Sequence, residues 1–319
     1  MDTLTQITLG AAVGEAVLGR QVGNRAPLWG AVCGLVPDLD VLAAPFLDPA
    51  SRLLFHRGPS HSITFALLLS GLLGPWLARR YGNTGIPTRQ WLWLVFLATV
   101  THPLLDCFTA YGTSLLWPFS SLRISWNTIF VVDPLYTVPL LLCTLALLFY
   151  PRTSAHRRRL NWLGLGLSTV YLAATVGAKI HAQQTFSQAL AKQSIPVQRL
   201  FVGPTPFNSV LWRGVAEGDS AYWEGFYSLL DKRPPQSFRR IEKNHHLLAP
   251  LVHLRPVKRL VAFTRGYFAV RKIPGGLYLY DLRYGETDGW LDLTNQPVFG
   301  FRLFPQYEGR RLRVQIVRV

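Results

Sequence analysis

Cysteine, acid and lysine are all scarce in this chain, and long neutral stretches take their place. With 3 Cys in 319 residues, a disulfide scaffold is excluded. Charged residues make up 16% and hydrophobic residues 49%. Soluble globular chains carry about 25% charge, and so apolar a chain is not disordered. No repeat of about 20–50 residues is present, which excludes a solenoid. A basic leader is also missing: Met1-Asp2 opens the chain, and Gly and Ala dilute the apolar run that follows. The expectation is that the N-terminus is not a cleavable signal.

The scarcity is uneven. Residues 1–180 hold 13 basic and 7 acidic residues, and the first Lys is Lys179. The seven acids are Asp2, Glu15, Asp38, Asp40, Asp48, Asp106 and Asp133. Few acids in so apolar a region implies that each has a task. Apolar runs at Ser62–Ala78, Gln90–Leu105, Pro134–Tyr150 and Leu160–Ala178 approach the roughly 20 residues needed to cross a bilayer. Leu28–Leu47, interrupted by Pro37, Asp38 and Asp40, is a fifth run, and the small-residue segment Ile7–Leu18 a sixth. These predict a membrane domain of about six helices over residues 1–180. Arg20 and Arg25, then Arg79, Arg80 and Arg89, then Arg152, Arg157, Arg158 and Arg159 fall in alternate loops. The positive-inside rule puts those loops in the cytoplasm and the rest, including the C-terminal half, outside it. The tryptophans at 76, 91, 93, 117, 126 and 162 suit interfacial anchoring.

Residues 181–319 predict a small, mostly antiparallel α+β domain. Strand-like runs lie at Val197–Val202, Ser209–Ala216, Ala221–Leu229, Leu260–Val270, Gly276–Leu282, Val298–Phe304 and Leu312–Val319. Pro-Gly-Gly at 274–276 and Tyr-Gly at 284–285 mark turns. With 20 basic and 10 acidic residues, the domain suits anionic lipid heads or wall polymers as well as simple solubility. No nucleic-acid recognition motif is present, so no nucleic-acid partner is expected.

Four polar clusters interrupt the apolar half: Pro37-Asp38-Leu39-Asp40, the segment His56-Arg57-Gly58-Pro59-Ser60-His61-Ser62, Thr101-His102-Pro103-Leu104-Leu105-Asp106, and Asp133-Pro134. Polar groups at membrane depth are costly unless paired or bound to metal. His102 and Asp106, four apart, share a helix face. Asp38 and Asp40 flank a Leu, so in an extended stretch both point one way. Imidazole with carboxylate suits zinc, with manganese or iron as alternatives. Asp40, His61, His102 and Asp106 are the expected ligands, with His56 as a further candidate. Asp38 or Asp133 is the expected base or orienter, and Arg57 suits an anionic group such as phosphate. Cys33, Cys107 and Cys143 read as core residues, and His181, His245, His246 and His253 lack a metal spacing.

Those motifs, together with Met1-Asp2-Thr3-Leu4-Thr5-Gln6, Thr109, Tyr111-Gly112 and Leu116-Trp117-Pro118, resemble the YdjM-type inner-membrane metal-dependent hydrolases, a family also described as LexA-binding. The resemblance covers roughly residues 1–150. It implies a bacterial inner-membrane protein and a hydrolytic reaction class, without a substrate. Many members carry a His where this chain has Gln6. A more distant likeness in order and spacing is to zinc-dependent phospholipase C and the zinc nucleases, with Asp40, His61, His102 and Asp106 in the matching positions. Together these readings predict a membrane-bound metal hydrolase acting on a lipid or lipid-linked phosphoester. An ion- or proton-coupled transporter and a metal-stabilised scaffold are the competing classes.

Overall fold

A computed structural model describes residues 1–285, 299–309 and 311–318. The chain divides into two compact units. The first comprises Met1–Leu42, His56–Gly177 and Pro206–Ser209; the second comprises Ala43–Phe55, Ala178–Thr205 and Val210–Val319. The division is therefore not a single cut, because each half lends a short segment to the other's unit.

The first unit is helical. Its elements are α1 (Thr3–Val22), α2 (Arg25–Leu35), a tighter helix over Val36–Phe46 that leaves the unit after Leu42, α4 (Ile63–Arg80), α5 (Thr88–Asp106), α6 (Pro134–Leu147) and α7 (Ala155–Lys192). The short α3 (Pro49–Phe55) lies between them in sequence but belongs to the second unit. Polar side chains fix the helix starts. Asp2 accepts from the Thr5 N–H, Ser62 from that of Phe65, and Asp133 from those of Leu135 and Tyr136, with Pro134 following it. Gly10 and Gly14 of α1 lie against Gly30 and Gly34 of α2, so close that a Cβ on any of the four would strike the facing backbone. That approach fixes α2, and the segment carrying Asp38 after it, against the first turns of α1. Leu18, Leu77, Trp91, Leu94 and Ala98 form one buried core, and Leu9, Ala12, Leu105, Ile129 and Leu140 another. At the far end of α1, Glu15 takes a bidentate pair from Arg157 at 2.7 and 2.6 Å.

Among the described residues, Arg25–Phe46 (22 residues) and Ala155–Lys192 (38 residues) are long and apolar enough to cross a membrane. The bent pair Pro49–His61 and Ile63–Arg80 makes a third if counted as one span. This is fewer than the six expected. α6 has only 14 residues. α1, at 20 residues, carries Glu15 and Arg20, which dilute its hydropathy.

The second unit holds two antiparallel four-stranded sheets. One is β1 (Arg199–Pro204), β2 (Leu211–Glu217), β3 (Ala221–Ser228) and β4 (Arg239–Glu242); the other is β5 (Phe268–Ile273), β6 (Gly276–Asp281), β7 (Gly300–Glu308) and β8 (Arg311–Arg318). The α+β expectation holds. The expected strand Leu260–Val270 is only half right, since its start belongs to helix α8 (Arg255–Thr264). Val257, Leu260 and Phe263 are buried at three-residue spacing between exposed basic residues, a helical period rather than an alternating one. β4 was not expected at all. Val298 and Val319, termini of expected strands, lie outside the described residues. The end of α7 packs on the first sheet, where Gly214 leaves room for the Phe186 ring.

Buried carboxylates in this unit meet guanidinium groups. Glu224 pairs with Arg213 and Arg239, Glu217 with Arg199 and Lys243, and Asp281 with Arg283. Burial pushes the Glu224 carboxyl up, but Arg213 and Arg239 outweigh it and hold the group below the usual Glu range. At Asp281 burial wins over Arg283, and the carboxyl sits above its usual range.

Candidate metal centre

Four side chains from three stretches of the first unit converge near the start of α1. His61 ends a single tight turn, Pro59–His61, in front of α4. His102 and Asp106 come from the last turns of α5. Asp38 comes from the tight helix after α2. His61 Nε2 and His102 Nε2 are 3.1 Å apart. Asp38 Oδ1 lies 3.3 Å from the first and 3.4 Å from the second. Asp106 Oδ2 lies 3.5 and 3.6 Å from the same two atoms. Four atoms bound tetrahedrally to one zinc ion stand about 3.3–3.4 Å apart, given bonds of about 2.0–2.1 Å. Asp38 Oδ1 and the two imidazole nitrogens have the spacing of a ligand set, and Asp106 Oδ2 lies beside the two nitrogens.

Hydrogen bonds set the tautomers. His102 Nδ1 is 2.6 Å from the Gly34 carbonyl, which only accepts, so Nδ1 carries the proton and Nε2 presents a lone pair. His61 Nδ1 faces Ser60 Oγ at 3.0 Å and Asp40 Oδ2 at 3.5 Å. Ser60 donates its own proton to Asp40 at 2.9 Å, so His61 Nδ1 donates and its Nε2 is also bare. Two imidazole lone pairs and an Asp38 oxygen therefore face one point, with Asp106 Oδ2 beside the nitrogens. His61 is 0% exposed, His102 and Asp106 1%, and Asp38 17%. At such burial, Asp38 Oδ1 and the two bare imidazole nitrogens, with no proton between them, repel one another, and a cation there would relieve the conflict; Asp106 already has the Arg57 guanidinium and the Met1 amino group beside it. Beside them Gln6 Nε2 donates to Asp106 Oδ1 at 3.0 Å, while Gln6 Oε1 is buried without a hydrogen-bond partner. The donor set fits a divalent metal.

Other expected residues sit differently. Asp40 was expected as a ligand and Asp38 as base or orienter; the geometry reverses them. Asp40 stands behind His61, taking bonds from Ser60, from the Arg57 N–H at 3.2 Å and from His56 Nδ1 at 2.8 Å. His56 is therefore outside the ligand set, with its ring edge-on to His61 and Tyr111. Asp133, expected as base or orienter, is a helix cap whose other oxygen accepts from Tyr171 at 2.9 Å and Ser209 at 3.0 Å. Those four donors use up its carboxylate. Arg57, expected to hold an anionic substrate group, is 4% exposed. It lies 3.2 Å from Asp106 Oδ2, donates to Thr109 Oγ1 at 2.7 Å and covers the Tyr111 ring. Its backbone has a φ of 60°, a left-handed conformation that costs a non-Gly residue energy and is held here by the Asp40 bond. The Met1 amino group also pairs with Asp106. The Gly34 carbonyl and Ser60, which orient the two imidazoles, were not read as site residues. The four-residue spacing of Gly10/Gly14 and Gly30/Gly34 was the available signal for the first.

A family model described as YdjM inner membrane protein matches residues 1–182. The chain belongs to that family. It is 30% identical over 143 residues to the inner membrane protein YbcI of Escherichia coli (strain K12), covering 43% of this chain and 81% of YbcI. It is 33% identical over 142 residues to the uncharacterized protein YfhP of Bacillus subtilis (strain 168), covering 42% of each. No solved structure matches. Family and apolar helices together make this an inner membrane protein. Both likenesses are too short to take in the whole chain, and the family match ends within α7, just beyond Gly177 of the first unit.

Proposed function

We propose that the chain is a membrane-bound metal-dependent hydrolase of a lipid or lipid-linked phosphoester. The observation that carries this is the set of converging lone-pair donors on Asp38, His61 and His102, with the Asp106 carboxylate beside them. A divalent cation held there, zinc by the nitrogen–oxygen donor set or manganese in its place, supplies Lewis acidity toward the scissile bond and the attacking water. The chain supplies the rest. Gly34 and the Ser60–Asp40 pair aim the imidazoles. Arg57 and Gln6 hold Asp106 in place. His56, 30% exposed with Nδ1 on Asp40, presents Nε2 as the group that takes up and returns a proton. Leu39, Val41 and Leu42, all exposed beside Asp38 and Asp40 in the chain, offer an apolar surface suited to acyl or polyprenyl chains.

On this reading α1, α2 with its extension, α4, α5, α6 and α7 all lie in the membrane as a multi-pass bundle. The arginine-rich loops face the cytoplasm, and the metal centre and C-terminal unit face the other side.

The test is metal analysis of the detergent-purified protein, coupled to a screen of phospholipids and phosphate esters. The expected result is bound metal at about one per chain and turnover of one substrate class. His56→Ala should keep the metal and lose roughly 10²–10⁴-fold in rate. Metal-free protein, or ion flux in proteoliposomes with no hydrolysis of any ester, overturns the reading.

A further inference from the structure

The first unit has a second polar opening at the other end of α1. The metal centre adjoins the first turns of this 20-residue helix, which is about 30 Å long, the thickness of a bilayer's hydrocarbon core. Where α1 ends, the turn into α2, the loop after α4 and the turn between α6 and α7 border an open cavity of about 530 Å³. Arg25, Arg152, Arg157, Asn24, Thr84 and Tyr150 line it.

The charges there do not balance. Arg157 is committed: Nε and Nη2 go to Glu15, and Nη1 goes to Asn24 Oδ1 at 2.6 Å and the Tyr150 carbonyl at 3.1 Å. That pair consumes the acid beside the cavity. Arg152 donates to a neutral acceptor, the Gln21 carbonyl, at 2.7 Å. Arg25 lies 5.1 Å over the Tyr81 ring. Neither takes part in an ion pair among the described residues. Two uncompensated guanidiniums therefore edge a cavity whose inner wall is a fixed, neutral Arg–Glu–Asn network. Exposed apolar residues stand near its lining residues in the chain, Phe149 (88% exposed) next to Tyr150 and Leu28 (59%) three residues after Arg25.

We propose that this cavity binds the phosphate headgroup of an anionic membrane lipid, with Arg25 and Arg152 on the phosphate oxygens and acyl chains along Phe149 and Leu28. Guanidinium groups match phosphate geometry, and basic pockets between membrane helices hold anionic heads. This site lies a bilayer's thickness from the metal centre along α1 and does not depend on its chemistry.

The experiment is native mass spectrometry of the full-length protein in detergent, titrated with phosphatidylglycerol, phosphatidylcholine or free glycerol phosphate. Phosphatidylglycerol should be retained roughly tenfold better than phosphatidylcholine. The double variant R25Q/R152Q should lose that preference while its melting temperature in phosphatidylcholine micelles stays unchanged. R158Q/R159Q, which removes equal charge from exposed positions outside the cavity, should keep it. Equal retention of the two lipids, or equal loss in both double variants, overturns the proposal. Glycerol phosphate binding as tightly as phosphatidylglycerol assigns the cavity to free anions and overturns the lipid.

Discussion

The C-terminal unit and the Asp38 cluster of the helical unit bury carboxylates in different ways. In the C-terminal unit Glu224, Glu217 and Asp281 each meet a guanidinium, so every negative charge has a positive counterpart at hydrogen-bond distance. In the helical unit Glu15 meets Arg157 and Asp106 meets Arg57 in the same manner, but Asp38 faces two imidazole nitrogens whose protons point elsewhere. The first arrangement is complete in itself and serves folding. The second would be completed by a cation. Buried acid alone is thus no sign of a site; what matters is whether the partners bring protons or lone pairs.

Breaking the second arrangement should give the largest effect. His102→Ala removes one of the donors, and metal content measured by elemental analysis should fall from about one per chain to near zero. Full retention would remove His102 from the ligand set and reduce the cluster to a polar core. Asp40→Asn sharpens the contrast instead, because Asp40 touches no metal in this geometry. Chelator competition should show a loss of about 10–100-fold in metal affinity, the usual cost of losing the group that orients a ligand histidine. A loss as complete as that of His102→Ala would mean that Asp40 ligates after all. Arg213→Met, in the other unit, should leave metal content untouched and lower stability by about 3–5 kcal/mol, since Glu224 keeps only the half-exposed Arg239.

The sequence announced α4, α5 and the His102–Asp106 pair because apolar length, a Ser cap and four-residue spacing are local signals. It misassigned Asp38 and Asp40 because flanking a Leu was read as extended backbone, where both would share a side. The segment Val36–Phe46 is instead a three-residue-per-turn helix. Residues two apart then diverge by about 120°, so one carboxylate reaches the cluster and the other stands behind His61. The Asp133-Pro134 pair carried a cap signature and was read as chemistry because acids are rare there. The Gly34 carbonyl on His102 was signalled only indirectly, by the glycine spacing that lets α1 and α2 meet; which carbonyl then reaches His102 depends on how α5 packs beside them.

The smallest effect expected is also the most specific to the closed arrangement. Glu224 has its carboxyl held below the ordinary Glu value of 4.5 in the folded chain. The unfolded chain therefore takes up its proton first on acidification. The stabilisation from Glu224 is complete above the unfolded value and is lost as pH falls through the folded one. Glu224→Gln should thus unfold more easily at neutral pH, by about 2 kcal/mol. The gap to the natural protein should narrow as pH drops below about 4.5, tracked by tryptophan fluorescence during denaturant unfolding. Asp281, whose carboxyl is shifted upward, titrates in both proteins and drops out of the difference. A gap that stays constant across the acid range would show that Glu224 contributes packing rather than charge, and the balanced-pair description of this unit would fail at its best-formed example.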